Sequence, residues 1–90
     1  MRRTMADHVH TISKCVRGID GFEYEAQVYG TQRDDGTWAG WLEFVRQDAA
    51  ASRVLQTGQE TSQPGRTALE YWAGGLETIY LEGALQRAHE

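Results

Sequence analysis

The stretch FEYEAQVYGTQRDDGTWAGWLEFV, from Phe22 to Val45, alternates on both sides of Asp34-Asp35-Gly36. Period-two alternation is the signature of strands with one buried face, so the stretch reads as a β-hairpin. A three-residue loop, Asp34-Asp35-Gly36 with Gly36 left-handed, sets Arg33 against Thr37. The ladder then pairs Gly30 with Gly40, Val28 with Leu42 and Ala26 with Phe44. One face collects Phe22, Tyr24, Ala26, Val28, Trp38, Leu42 and Phe44. The other collects Glu23, Glu25, Gln27, Tyr29, Ala39, Trp41, Glu43 and Val45. A two-residue loop at Asp35-Gly36 would set Val28 against Glu43 and mix the faces, which excludes it.

Outward from the hairpin the pattern changes. Upstream, Val9, Ile12, Val16 and Ile19 recur at helical spacing with Asp7 as a cap, although His-Val-His-Thr-Ile-Ser also alternates like a strand. The reading is a short helix or a partly ordered arm over residues 1–20, ahead of a single domain over 21–90. Gly18 to Gly21 is a turn into the hairpin. Downstream, Arg46 to Ser52 is a connection, and Arg53 to Gln59 reads as a third strand completing an antiparallel meander. Glu60-Thr61-Ser62-Gln63-Pro64 reads as a helix start, with Thr61 or Ser62 as cap and Pro64 in the first turn. Ala68, Leu69, Trp72 and Leu76 form the apolar stripe of a helix from Pro64 to Ala73. Gly74-Gly75 ends or kinks it, since two glycines cost about 2 kcal/mol in a helix interior. A second helix follows from about Glu77, in the phase of Leu76, Ile79, Tyr80, Gly83, Ala84 and Arg87; a fourth strand over 77–81 is the alternative.

The expected architecture is α+β: a three-stranded antiparallel meander with one or two C-terminal helices on one face. Its inner cluster comprises Tyr24, Ala26, Val28, Trp38, Leu42, Phe44, Leu69, Trp72, Leu76, Ile79 and Tyr80.

Composition limits the function. Ninety residues make one small domain, 40% of them hydrophobic, with three Trp and four Tyr. A net charge of −4 argues against binding nucleic acid through phosphate neutralisation, and Arg2, Arg3, Lys14 and Arg17 read as a solvated basic tail. The single cysteine, Cys15, allows no intrachain disulfide. Without an apolar run for a secretion signal or a membrane span, the expectation is a soluble cytoplasmic protein.

Chemistry-bearing motifs are sparse. His8, His10, Cys15 and His89 fall short of zinc-site spacing, and Cys15 has no adjacent base. A carboxylate pair such as Glu25 and Glu43 on an open sheet serves solubility rather than acid–base work. No phosphate loop, dinucleotide fingerprint or serine elbow is present, so no cofactor and no enzymatic activity are expected. The outer sheet face is the unusual feature. Tyr29 stands opposite Trp41, with Ala39 and Val45 flanking, among Glu and Gln. The N-terminal arm, a second subunit or a partner could cover these aromatics.

The motifs Asp35-Gly36-Thr37-Trp38, Trp41-Leu42-Glu43-Phe44, Glu60 to Pro64, Tyr71-Trp72-Ala73, Gly75-Leu76-Glu77 and Tyr80 to Ala84 resemble a set of short bacterial proteins of unknown function. The order of elements, three strands and then a Thr-led helix, also resembles the HicB-type antitoxin domain in topology. That resemblance implies inhibition of a small RNA-cleaving toxin and frequent dimerisation. The chain departs from that family's pattern at Gly65, where alanine is usual four residues after the helix-opening Thr, and these 90 residues do not include the DNA-binding module that many members carry. The expected function is a non-enzymatic interaction or regulatory domain. It would bind a protein partner or itself as a homodimer, in antitoxin-like fashion, through Tyr29, Trp41, Ala39 and Val45. The alternative is a small nucleic-acid-binding protein that stacks bases on Tyr29 and Trp41.

Overall fold

The hairpin forms as its alternation requires. In the computed structural model, which describes residues 6–48 and 54–89, β2 (Glu23–Gln32) and β3 (Trp38–Arg46) pair antiparallel. Their register is Ala26 to Phe44, Val28 to Leu42, Tyr29 to Trp41 and Gly30 to Gly40. The Arg33 N–H donates to the Thr37 carbonyl at 2.7 Å, and Gly36 takes φ +90°. Asp35 fixes the loop by accepting from both the backbone N–H and the hydroxyl of Thr37. These bonds hold its carboxyl below the usual range. Gly36→Val should therefore cost about 1–2 kcal/mol, the usual penalty for a β-carbon in left-handed backbone, and Gly36→Asn much less. Urea midpoints of the two variants check this.

Of the expected arm or helix over residues 1–20, residues 1–5 lie outside the described residues, and Asp7–Arg17 is a strand and not a helix. β1 (Asp7–Arg17) pairs antiparallel with β2 along its whole length. Its ladder shifts twice, between His8 and His10 and between Ile12 and Cys15. The extra residues displace the alternation, so Val9, Ile12 and Val16 reach the core at spacings of three and four. That spacing imitates a helix. Ile19, the fourth member of the supposed stripe, is exposed.

The third expected strand is present as β4 (Val54–Gln56), which pairs with β3 from Val45 to Glu43. The supposed helix start is a fifth strand: β5 (Thr61–Gln63) pairs with the other half of β3, Thr61 facing Gly40 and Gln63 facing Trp38. Pro64 biases Gln63 toward extended backbone, which favours this outcome. Between β4 and β5 the buried Thr57 accepts from the Leu42 N–H through its hydroxyl (3.1 Å) and donates its own N–H to the Leu42 carbonyl (2.9 Å). Arg2, Arg3, the connection from Ala49 to Ser52, and Arg53 lie outside the described residues.

Helix α1 (Arg66–Gly74) follows Gly65, which caps it without a side-chain bond, so neither Thr61 nor Ser62 is the cap. It stops at the glycine pair, as expected, and α2 (Thr78–His89) is a helix and not a strand. The turn between them resets the helical phase. α2 buries Leu81, Ala84 and Leu85, an i, i+3, i+4 stripe, and leaves Ile79 and Tyr80 outside the core. The core joins Ile12, Val16, Tyr24, Ala26, Val28, Leu42 and Phe44 of the sheet to Leu69, Ala73, Leu81, Ala84 and Leu85 of the helices. Trp38, Trp72 and Leu76 pack against it half-buried, while Phe22 lies at the surface under the Arg46 guanidinium, 4.0 Å from its ring centre.

Facing glycines let α1 approach the sheet. A β-carbon on Gly30 would stand 2.5 Å from Leu69 Cδ2, and one on Gly40 would stand 2.6 Å from Leu69 Cδ1. Leu69, fully buried, fills the hollow that these two residues leave in the inner face. The architecture is thus α+β as expected, with an antiparallel sheet of order β1-β2-β3-β4, β5 on β3, and two helices packed on the sheet.

Candidate functional site

With the helices on one face, the β2–β3 register directs Glu25, Gln27, Tyr29, Thr31, Ala39, Trp41, Glu43 and Val45 to the other. His8 and Cys15 of β1 and Val54 and Gln56 of β4 join them. Among the described residues nothing forms a further layer over this face.

Tyr29 and Trp41 are opposite one another, as the sequence implies, and both are half-buried among their neighbours. The His8 ring, which sequence reasoning did not place here, meets Tyr29 edge-on with centres 5.4 Å apart. Side-chain bonds run along each strand. The Tyr29 hydroxyl donates to Gln27 (3.4 Å), Gln27 donates to Glu25 (3.2 Å), and the Trp41 indole N–H donates to Glu43 (3.4 Å). One run ends on Glu25, opposite Val45, and the other on Glu43, bonded to the Trp41 indole. Trp41 and Ala39 also wall a hollow of about 250 Å³ with Gln56, Thr57, Gly58 and Gln59. The irregular turn between β4 and β5 opens it, and no sequence signal announces it. Val45 is half-buried and lies four residues along β3 from Trp41, opposite Val54 rather than in the hollow.

The histidines and the cysteine do not converge. His8 and Cys15 are seven residues apart on one strand, roughly 20 Å by strand rise, and His89 ends α2. Among the described residues no group of three or more His, Cys, Asp and Glu side chains could hold a metal ion.

His89 belongs to a different constellation. Asp20 accepts from the Tyr24 hydroxyl (2.6 Å) and from the Phe22 N–H (3.0 Å), and its Oδ2 is 3.1 Å from His89 Nε2. His89 Nδ1 is 3.0 Å from the Leu85 carbonyl. Both ring nitrogens and the phenol are engaged, so the cluster ties the Gly18–Gly21 turn to the end of α2. The Tyr24 bond, followed by those from Phe22 and His89, lowers the Asp20 carboxyl to about 2. A depressed carboxylate stabilises the fold above its unfolded pKa of roughly 4 and loses that contribution as pH falls toward about 2. Asp20→Asn should be less stable at neutral pH and lose less stability between pH 4 and pH 2, as urea midpoints across that window would record.

Among the described residues no helix is long and apolar enough to cross a membrane. Comparison with protein-family models, curated proteins and solved structures finds no match for the chain.

Proposed function

We propose that the chain is a non-enzymatic interaction domain whose open sheet face binds a basic segment of a partner protein. The supporting observation is that Tyr29 and Trp41 stand opposite each other on a face without a covering layer, with the Glu43 carboxylate bonded to the Trp41 indole and Glu25 linked to Tyr29 through Gln27. An Arg or Lys side chain from a partner would find an aromatic ring to lie on and a carboxylate to pair with. An apolar neighbour in the same segment would enter the hollow beside Trp41. The same carboxylates repel phosphates, which weighs against stacking nucleic-acid bases here. An antitoxin-like regulator that covers a basic partner is one role of this class.

Fluorescence anisotropy with labelled peptides that alternate Arg with Phe or Leu tests the reading. Wild type should bind them in preference to Glu-substituted counterparts and to a single-stranded oligonucleotide. Tyr29→Ser with Trp41→Ser should weaken binding about 30-fold, the equivalent of about 2 kcal/mol at an interaction hot spot. Glu43→Arg, which leaves both rings in place, should weaken the basic peptides as well. Preference for the oligonucleotide, or unchanged affinity in both variants, would overturn the proposal.

A further inference from the structure

Among the described residues, the most exposed large apolar side chains lie on the two helices. Tyr71 of α1 is 87% exposed and Ile79 of α2 is 78% exposed, with Tyr80 next to it at 36%. Tyr71 and Tyr80, with Ala68, Trp72 and Leu76, wall a groove of about 890 Å³ that Gln63 and Thr67 also line, and Ile79 adjoins it through Tyr80. A single patch therefore carries projecting apolar groups and an apolar hollow together.

We infer that this patch is the contact between two copies of the chain, arranged about a two-fold axis so that Tyr71 and Ile79 of each enter the groove of the other. A two-fold interface requires one surface to be complementary to itself, and knobs next to a hollow meet that requirement. Both arginines near the groove are paired within the chain, Arg66 with Glu70 and Asp7, and Arg87 with Glu60. With Glu77, which follows Leu76, the patch keeps two negative charges per copy, four carboxylates against two arginines, a repulsion that salt screens.

The wall is set in advance. Trp72 and Tyr80 meet edge-to-face with centres 6.3 Å apart, and the Tyr80 hydroxyl donates to Glu60, which Arg87 also binds at 2.7 Å. A fixed wall loses little side-chain freedom on docking. Tyr71, Ile79 and Tyr80 alone offer roughly 400 Å² per copy. That is half of the ~800 Å² per partner typical of a stable complex, before the groove walls contribute.

Light scattering on the full chain, from about 1 μM to about 1 mM, tests this. Wild type should rise from the 10.1 kDa of one chain to twice that mass, and added salt should leave the dimer intact or strengthen it. Tyr71→Glu with Ile79→Glu should remain one chain throughout and unfold thermally as wild type does at about 1 μM, because both side chains lie outside the core. Tyr29→Ser with Trp41→Ser should dimerise as wild type does. A wild type that stays at one chain over the whole range would overturn the inference and leave the groove to another occupant. A dimer that survives the Glu pair but is lost in the Ser pair would move the interface to the sheet.

Discussion

Gly40→Val is expected to destabilise the domain by about 3 kcal/mol, the upper end of what overpacking a close-packed core costs. The added β-carbon would stand 2.6 Å from Leu69 Cδ1 and 3.1 Å from Thr61 Cγ2. Leu69 is fully enclosed and cannot retreat, because Gly30 meets its other methyl from the neighbouring strand. The test is a double-mutant cycle. Leu69→Ala alone should cost about 2–5 kcal/mol, and in that background Gly40→Ala should be neutral or stabilising, since it refills vacated space. Additive losses in the cycle would mean that α1 does not rest on the glycine pair.

Val16→Asp is expected to abolish folding at room temperature. Val16 is 1% exposed on β1 and packs with Tyr24 and the α2 residues in the core. An unpaired carboxylate there costs several kcal/mol, against a stability of about 5–15 kcal/mol for a whole domain. Ser13→Asp, on the same strand but exposed, should be close to neutral. If residues 7–17 were a loose arm, the two variants would behave alike in circular dichroism and thermal unfolding.

That contrast shows where the sequence is legible. The hairpin is readable because β2 and β3 pair without a bulge, so each side chain alternates as written and the register follows from one loop length. β1 is misread because its two register shifts turn a strand's inward positions into helical spacing. β5 is misread because Thr61-Ser62 is as good a helix cap as a strand edge, and its partner, Trp38 to Gly40 of β3, lies more than twenty residues earlier. In α2 two apolar stripes compete, Leu76-Ile79-Tyr80 and Leu81-Ala84-Leu85. The turn at Gly75 decides between them, and helical periodicity carries no signal across a turn. The pair Tyr29 and Trp41 was legible for the same reason as the hairpin. His8 and the hollow at Gln56–Gln59 were not, because a bulge and an irregular turn put them there. The exposed face at Tyr71 and Ile79 is hidden in the sequence because the phase of Leu76 carries Ile79 into the core.

Indole N–H resonances test the central claim most directly. The chain has three tryptophans, on different surfaces: Trp41 on the open face, Trp38 under Arg66 and Trp72 in the helical groove. In two-dimensional nitrogen–proton spectra, an Arg-rich aromatic peptide should shift the Trp41 indole signal and the Glu43 amide at concentrations that leave Trp72 unmoved. A shift confined to Trp72, or a Trp41 signal that moves only on adding a single-stranded oligonucleotide, would contradict a protein-binding role for the sheet face.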